Sequence, residues 1–148
     1  MCLSKARKIA RYTAVGGIVG WYLISEVDAA FCEGDLTRIG NGKPTVVQIH
    51  DPQCPQCVAL QKEARKAAPE FEDDELQFAV ANIRSEKGRR LANEHRVGHV
   101  KLLLLDGNGK RRRTIVGSNA SAYLERKFRS HVRQVTPLDR QKGSSWSS

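Results

Sequence analysis

Two cysteines separated by two residues, between a strand-like and a helix-like segment, constrain this chain more than any other feature. The tetrapeptide Cys54-Pro55-Gln56-Cys57 follows an apolar, β-branched run at residues 45–49. It opens a segment in which apolar residues recur with helical spacing. Because two thiols one helical turn apart can form and break a disulfide, the pattern predicts a dithiol–disulfide redox site.

The residue types in the motif suit a reactive thiol at the start of a helix. If Cys54 caps the helix, Pro55 takes the first helical position, where its fixed φ fits and its missing N–H costs nothing. The helix dipole and the free N–H groups then favour a thiolate on Cys54. Cys57 lies one turn later, within reach to resolve a mixed disulfide. The spacing alone leaves open a pair of buried or metal-bound cysteines.

The chain is strongly basic, with 25 Lys and Arg against 16 Asp and Glu and a net charge of +9. The basic residues concentrate in the C-terminal half, above all at residues 110–113. Such charge can attract nucleic acid or anionic lipid. No aromatic residues interleave with the basic run, and the sequence has no nucleic-acid-binding motif. We therefore expect a solvated basic surface near a membrane and no nucleic-acid partner.

Residues 1–30 have the pattern of an export signal or signal-anchor. Four basic residues precede an uncharged apolar run at residues 12–24, and a polar segment with small side chains follows it. The run is shorter than the ~20 residues of a typical membrane span. The basic flank directs the rest of the chain outward. We expect a periplasmic location, or membrane association through residues 12–24 with the domain facing the periplasm or exterior.

The remaining chain alternates strand-like and helix-like segments in the order β-α-β-α-β-β-α. Two strands joined by a helix run parallel, whereas the turn at residues 106–109 predicts an antiparallel hairpin. This order predicts an α/β fold with a central mixed sheet flanked by helices. The domain is expected at residues 44–135, after a linker at 31–43 and before a disordered tail at 136–148. The predicted strands are 46–49, 76–80, 102–105 and 114–116, and the predicted helices are 55–68, 86–94 and 120–135.

This order, with Cys-x-x-Cys after the first core strand, resembles the thioredoxin-like superfamily over roughly residues 44–134. Further segments that match are Phe78–Ile83, His95–Lys110 and Val116-Gly117. The resemblance implies a thioredoxin-like fold and thiol–disulfide exchange on protein substrates. It also implies that a redox partner protein resets the pair and that no dissociable cofactor is needed.

The resemblance also assigns roles within the motif. Cys54 would be the attacking thiol and Cys57 the resolving thiol. Pro55 and Gln56 between them would set the redox poise, and this pair is similar to the Pro-x pattern of glutaredoxins.

Three positions depart from the family pattern. Val100 stands where family members carry a cis-proline before the hairpin. Because a cis bond before a non-proline residue costs about 2.5–4 kcal/mol, we expect a trans bond there. Gln48 stands where thioredoxins carry a buried acid, a proton acceptor for the resolving thiol, and a glutamine does not titrate. Gln53 replaces the aromatic residue that usually precedes the first cysteine.

Two histidines are candidate neighbours of the dithiol. By the resemblance, His99 lies beside the position that faces the cysteines, where an imidazolium would lower the pKa of Cys54 and make the pair more oxidising. The alternative is a solvent-facing loop histidine without a role. His50 follows the first core strand, and its position favours a surface histidine at the end of the strand.

The same residues permit two other classes of protein. Cys54, Cys57 and His99, with His50 as a further candidate, would form a ligand set in a zinc or copper protein. The missing proline and acid also fit a catalytically silent interaction module that keeps the fold. Thiol–disulfide oxidoreductase is the prediction that the motif and the resemblance favour together.

Overall fold

In the part of the chain that the structure describes, four strands and three α-helices follow one another in the predicted order. The computed structural model describes residues 34–71 and 75–136, and the predicted signal segment and most of the predicted tail lie outside them. The strands are β1 (Thr45–His50), β2 (Gln77–Asn82), β3 (Lys101–Leu105) and β4 (Arg111–Val116). The helices are α1 (Pro55–Ala67), α2 (Glu86–Glu94) and α3 (Ser121–Val135).

The strands form one mixed sheet with the order β2-β1-β3-β4. β1 and β2 pair in parallel, as expected for strands joined by a helix. β3 runs antiparallel to β1 and to β4, so the predicted hairpin is confirmed. The motif follows the C-terminal end of β1, an interior strand of the sheet.

The sheet is covered on both faces, which explains the apolar runs of its interior strands. Side chains alternate between the faces along each strand, so neighbouring residues enter different clusters. Val46 and Leu104 pack with α1 and α3, whereas Val47 and Leu103 pack with Ala92 of α2. The predicted arrangement of helices on both sides of the sheet is therefore confirmed.

Helix α1 begins and ends as its residue types dictate. Cys54 is its N-cap, Pro55 is its first residue, and Pro69 follows two residues after its end within a short 3-10 turn. Its buried face packs against the sheet and α3. The buried residues of that face are Cys57, Leu60, Ala64 and Ala67.

The N-terminal approach to the sheet is more ordered than a linker pattern suggests. Residues 36–38 form a 3-10 turn, and Leu36 and Ile39 pack against the cluster under α2. Within residues 34–71 and 75–136, no helix is both long and apolar enough to cross a membrane.

Strand β4 begins three residues earlier than predicted and includes the three arginines of the basic run. Arg111 and Arg113 pair with Leu105 and Leu104 of β3, so the hairpin extends through the arginines. Their exposed side chains are compatible with this position because β4 is an edge strand, where charge is tolerated.

Candidate dithiol site

Cys54 caps the N-terminus of α1, as the sequence predicts. Its backbone is extended, with φ −97° and ψ 113°, and its sulfur accepts a hydrogen bond from the Cys57 N–H at 3.3 Å. Its backbone N–H donates to the Asp51 carbonyl at 3.0 Å, which fixes the loop before the helix. The first turn contains no acidic residue, so the helix dipole acts on the Cys54 sulfur without an opposing charge there.

The two thiols lie in different environments. Both are free, Cys54 is half-buried, and Cys57 is fully buried with 0% exposure. Burial raises the pKa of Cys57, and the nearby Cys54 thiol raises it further. The backbone N–H groups of Asp51 and Val100 act on the same sulfur in the opposite direction. One thiol can therefore meet a substrate while the other is kept from solvent.

Val100 occupies the predicted position opposite the cysteines with an unusual backbone. Its peptide bond is trans, as expected, but its φ is +58°, a left-handed conformation that is rare for a β-branched residue. Its carbonyl accepts a hydrogen bond from the Gly117 N–H at 3.0 Å. Its side chain packs against the core cluster that Val46 and Leu104 form with α1 and α3. Unlike a proline, Val100 has an N–H, and this N–H faces the Cys57 sulfur.

Two polar side chains of β1 lie beneath the start of α1. Gln48 is fully buried, and its Nε2 donates to the Cys57 carbonyl at 2.8 Å. The same Nε2 lies 3.3 Å from Nδ1 of His50. Among the described residues, Oε1 of Gln48 has no hydrogen-bond partner.

His50 is not the surface histidine that its position suggested. It is only 7% exposed, because residues 46, 48 and 50 share the face of β1 that α1 covers. Burial lowers the pKa of His50, while its hydrogen bond with the Cys57 carbonyl acts in the opposite direction. The prediction of a surface residue was wrong, and His50 belongs to the dithiol site.

His99, the histidine that the resemblance favoured, is exposed. It lies near enough to Asp51 for its charge to be one of the causes that lower the pKa of that carboxyl. Its effect on the Cys54 thiolate stays a prediction. Pro55 and Gln56, the residues between the cysteines, are also exposed.

Arg84 is a site residue that the sequence reasoning missed. Its Nε donates to Asp51 at 2.9 Å and its Nη2 donates to the Gln53 side chain at 2.7 Å, so it secures the loop before Cys54. The signal was available, because β1 and β2 run parallel and the segments after them emerge at the same edge. The hydrogen bond from Arg84 is the largest cause that lowers the pKa of Asp51.

The structure does not bring the alternative metal ligands together. Within the described residues, no group of three or more His, Cys, Asp or Glu side chains could hold a metal ion. His99 therefore does not join Cys54 and Cys57 as a third ligand in this arrangement.

A mixed sheet with a Cys-x-x-Cys pair at the N-terminus of the helix after an interior strand defines a thioredoxin-like fold. Solved structures of this class are similar to the chain. A thioredoxin from Malassezia sympodialis has a TM-score of 0.55 at 17% identity, covering 64% of this chain and 81% of that one. A thioredoxin-like protein from Clostridium perfringens has a TM-score of 0.54 at 25% identity, covering 66% and 77%.

A third similar structure, thioredoxin f from spinach chloroplast, has a TM-score of 0.52 at 19% identity and covers 64% of this chain and 80% of that one. No protein-family model matches the chain, and no curated protein sequence matches it. The chain thus shares the thioredoxin-like fold with these structures at low sequence identity.

The left-handed backbone at position 100 predicts that a glycine variant is more stable there than an alanine variant, which reverses the usual order. Val100→Gly should be more stable than Val100→Ala by about 1 kcal/mol, because glycine adopts this φ without the steric cost that alanine has. At half-buried Val97, which is outside the left-handed region, alanine should be the more stable variant. Urea unfolding of the four variants measures both differences, and the same order at both positions would contradict the assignment.

The different environments of the thiols predict selective alkylation. Iodoacetamide at neutral pH should modify Cys54 about tenfold faster than Cys57 or more, because only the thiolate reacts and Cys57 is buried with a raised pKa. Peptide mapping by mass spectrometry measures each site separately. In urea the two rates should converge, and equal rates in the native protein would contradict the predicted difference.

Proposed function

We propose that this protein is a thiol–disulfide oxidoreductase that acts on protein substrates. The observation that carries the proposal is the half-buried Cys54 sulfur at the N-terminus of α1, next to the fully buried Cys57. At the cap, the Cys54 sulfur accepts a hydrogen bond from the Cys57 N–H and faces the positive end of the helix dipole. This arrangement supplies one attacking and one resolving group.

The reaction balances as two exchanges. The Cys54 thiolate attacks one sulfur of a substrate disulfide, forming a mixed disulfide and releasing the other substrate sulfur as a thiolate. Cys57 then loses its proton and attacks the Cys54 sulfur, which releases the second substrate thiolate. The substrate gains two electrons and the Cys54–Cys57 pair loses two. The reverse sequence oxidises a substrate dithiol, and a redox partner protein resets the pair in either direction.

The surroundings of the dithiol support a protein as the substrate. Val58 directly follows Cys57 and is 50% exposed. Val116 is 65% exposed; it pairs with Lys101 and precedes Gly117, whose N–H donates to the Val100 carbonyl. Exposed apolar side chains of this kind suit contact with a peptide chain more than with a small polar thiol. Pro55 and Gln56 are accessible at the same surface and would influence the redox poise.

The proposed compartment is extracytoplasmic. The basic flank and apolar run at residues 12–24 support export, and an exported dithiol meets an oxidising environment where disulfide exchange has substrates. The domain would be released into the periplasm or remain attached to the cell membrane through this segment.

Exchange activity predicts a measurable redox couple and a trappable intermediate. In the full chain with Cys2→Ser and Cys32→Ser, the remaining pair should equilibrate with glutathione at a potential between roughly −120 and −270 mV. Cys57→Ser should accumulate mixed disulfides with substrates, whereas Cys54→Ser should form none. Alkylation and mass spectrometry quantify both results.

Each alternative class gives a different result in that experiment. A catalytically silent module would show no reversible couple and would bind its partner equally well after both substitutions. A metal-binding protein would instead hold zinc or copper in near-stoichiometric amount, and both cysteine substitutions would remove it.

The proposed export predicts that residues 1–30 determine the location. Expressed in a Gram-negative bacterium, the full chain should fractionate with the periplasm or the membrane, whereas a variant without residues 1–30 should stay in the cytosol. Immunoblots of osmotic-shock, membrane and cytosolic fractions measure the distribution. Recovery of the full chain in the cytosolic fraction would contradict the proposed compartment.

A further inference from the structure

We propose that His50 is the proton acceptor for Cys57 in the resolving step. This inference rests on the proposed exchange reaction and identifies the residue that replaces the acid missing at Gln48. Cys57 has to lose a proton before it can attack the mixed disulfide, and its sulfur is closed off from solvent. A buried neighbour that can take the proton is therefore needed.

His50 and Cys57 share one buried region between β1 and α1. The ring of His50 and the amide of Gln48 both interact with the Cys57 carbonyl, which places the imidazole beside the resolving residue. The peptide bond after His50 supplies the Asp51 N–H that interacts with the Cys57 sulfur. The His50 ring thus lies at the Cys57 carbonyl, in the same buried region as the thiol that must lose its proton.

The charges around His50 keep it available as a base. Burial lowers the pKa of His50, and the positive charge of Arg65 on α1 acts in the same direction. Asp51 on the following loop and the Cys57 carbonyl oppose this effect. Because the neutral imidazole is the form that accepts a proton, a lowered pKa keeps His50 active at neutral pH.

Gln48 matches both protonation states of the imidazole. Its Nε2 lies 3.3 Å from Nδ1 of His50, so it can donate to Nδ1 when that nitrogen carries no proton. When the ring takes up a proton both of its nitrogens are donors, and the Cys57 carbonyl beside the ring can accept from it. Rotation of the Gln48 amide would also present Oε1, which has no partner among the described residues. An aspartate at position 48 would compete for the same proton, whereas glutamine leaves it to His50.

The step conserves protons and electrons. The proton of the Cys57 thiol moves to His50, and the resulting thiolate attacks the Cys54 sulfur of the mixed disulfide. The new Cys54–Cys57 bond replaces the bond from Cys54 to the substrate, whose sulfur leaves as a thiolate. His50 then releases its proton to that thiolate or to solvent, which restores the neutral imidazole.

The resolving step can be measured alone in the full chain with Cys2→Ser and Cys32→Ser. A thionitrobenzoate mixed disulfide forms on Cys54, and stopped-flow absorbance follows the release of thionitrobenzoate as Cys57 attacks. The rate should rise with pH through a midpoint below the usual histidine range, because protonated His50 cannot accept the proton. His50→Gln should remove this midpoint and slow the release about tenfold or more at pH 7.

The matched control is His95→Gln. His95 is partly buried and burial also lowers its pKa, but it lies at the opposite end of the sheet, where its carbonyl accepts from Arg111. This variant should keep the wild-type rate and pH profile. Equal profiles for His50→Gln and wild type would overturn the proposal, whereas no release from any variant would contradict the exchange function itself.

A second measurement does not require that the His50→Gln variant folds. In wild-type protein, an NMR titration should give different pKa values for His50 in the dithiol and disulfide states, because only the dithiol state holds a proton on Cys57. The pKa of His95 should be the same in both states. An unchanged His50 titration on oxidation would overturn the proposal even if His50→Gln were unstable.

Discussion

The buried position of the Cys57 sulfur is the constraint on which the rest of this site depends. A thiol without access to water has a raised pKa, so everything that it can do is decided by the few polar groups around it. Here these groups come from four places in the chain: the end of β1, the loop after it, the cap of α1, and the residue before β3. The sheet brings them together, because each of these segments starts or ends at the same edge.

Two of the three positions that depart from the family pattern, Gln48 and Val100, contact Cys57. Val100 adds a backbone N–H where a proline would have none, at the cost of a left-handed backbone held by Gly117. Gln48 removes a titratable group from β1, and His50 places one two residues further along the same face. Polar groups thus remain around the resolving thiol, but they come from different positions than in the family pattern. This arrangement is consistent with a working dithiol.

The sequence was sufficient for features that depend on local chemistry. The cap at Cys54, the hairpin turn and the order of elements follow from residue types and spacing. The burial of His50 could not be predicted from the neighbouring residues in the sequence, because it depends on which face of β1 the later helix covers. The φ of Val100 and the link from Arg84 to Asp51 likewise arise from contacts between segments that are distant in sequence.

The three arginines of β4 have a consequence for how molecules of this protein meet. An edge strand exposes unpaired backbone groups that a second sheet could extend, and two such edges in register would bring opposing rows of guanidinium groups together. Their repulsion discourages growth of the sheet in that direction. Since charges are screened over about 8 Å at physiological ionic strength, this protection weakens as salt increases. The hairpin that holds Val100 next to the dithiol therefore also discourages association between molecules of this protein.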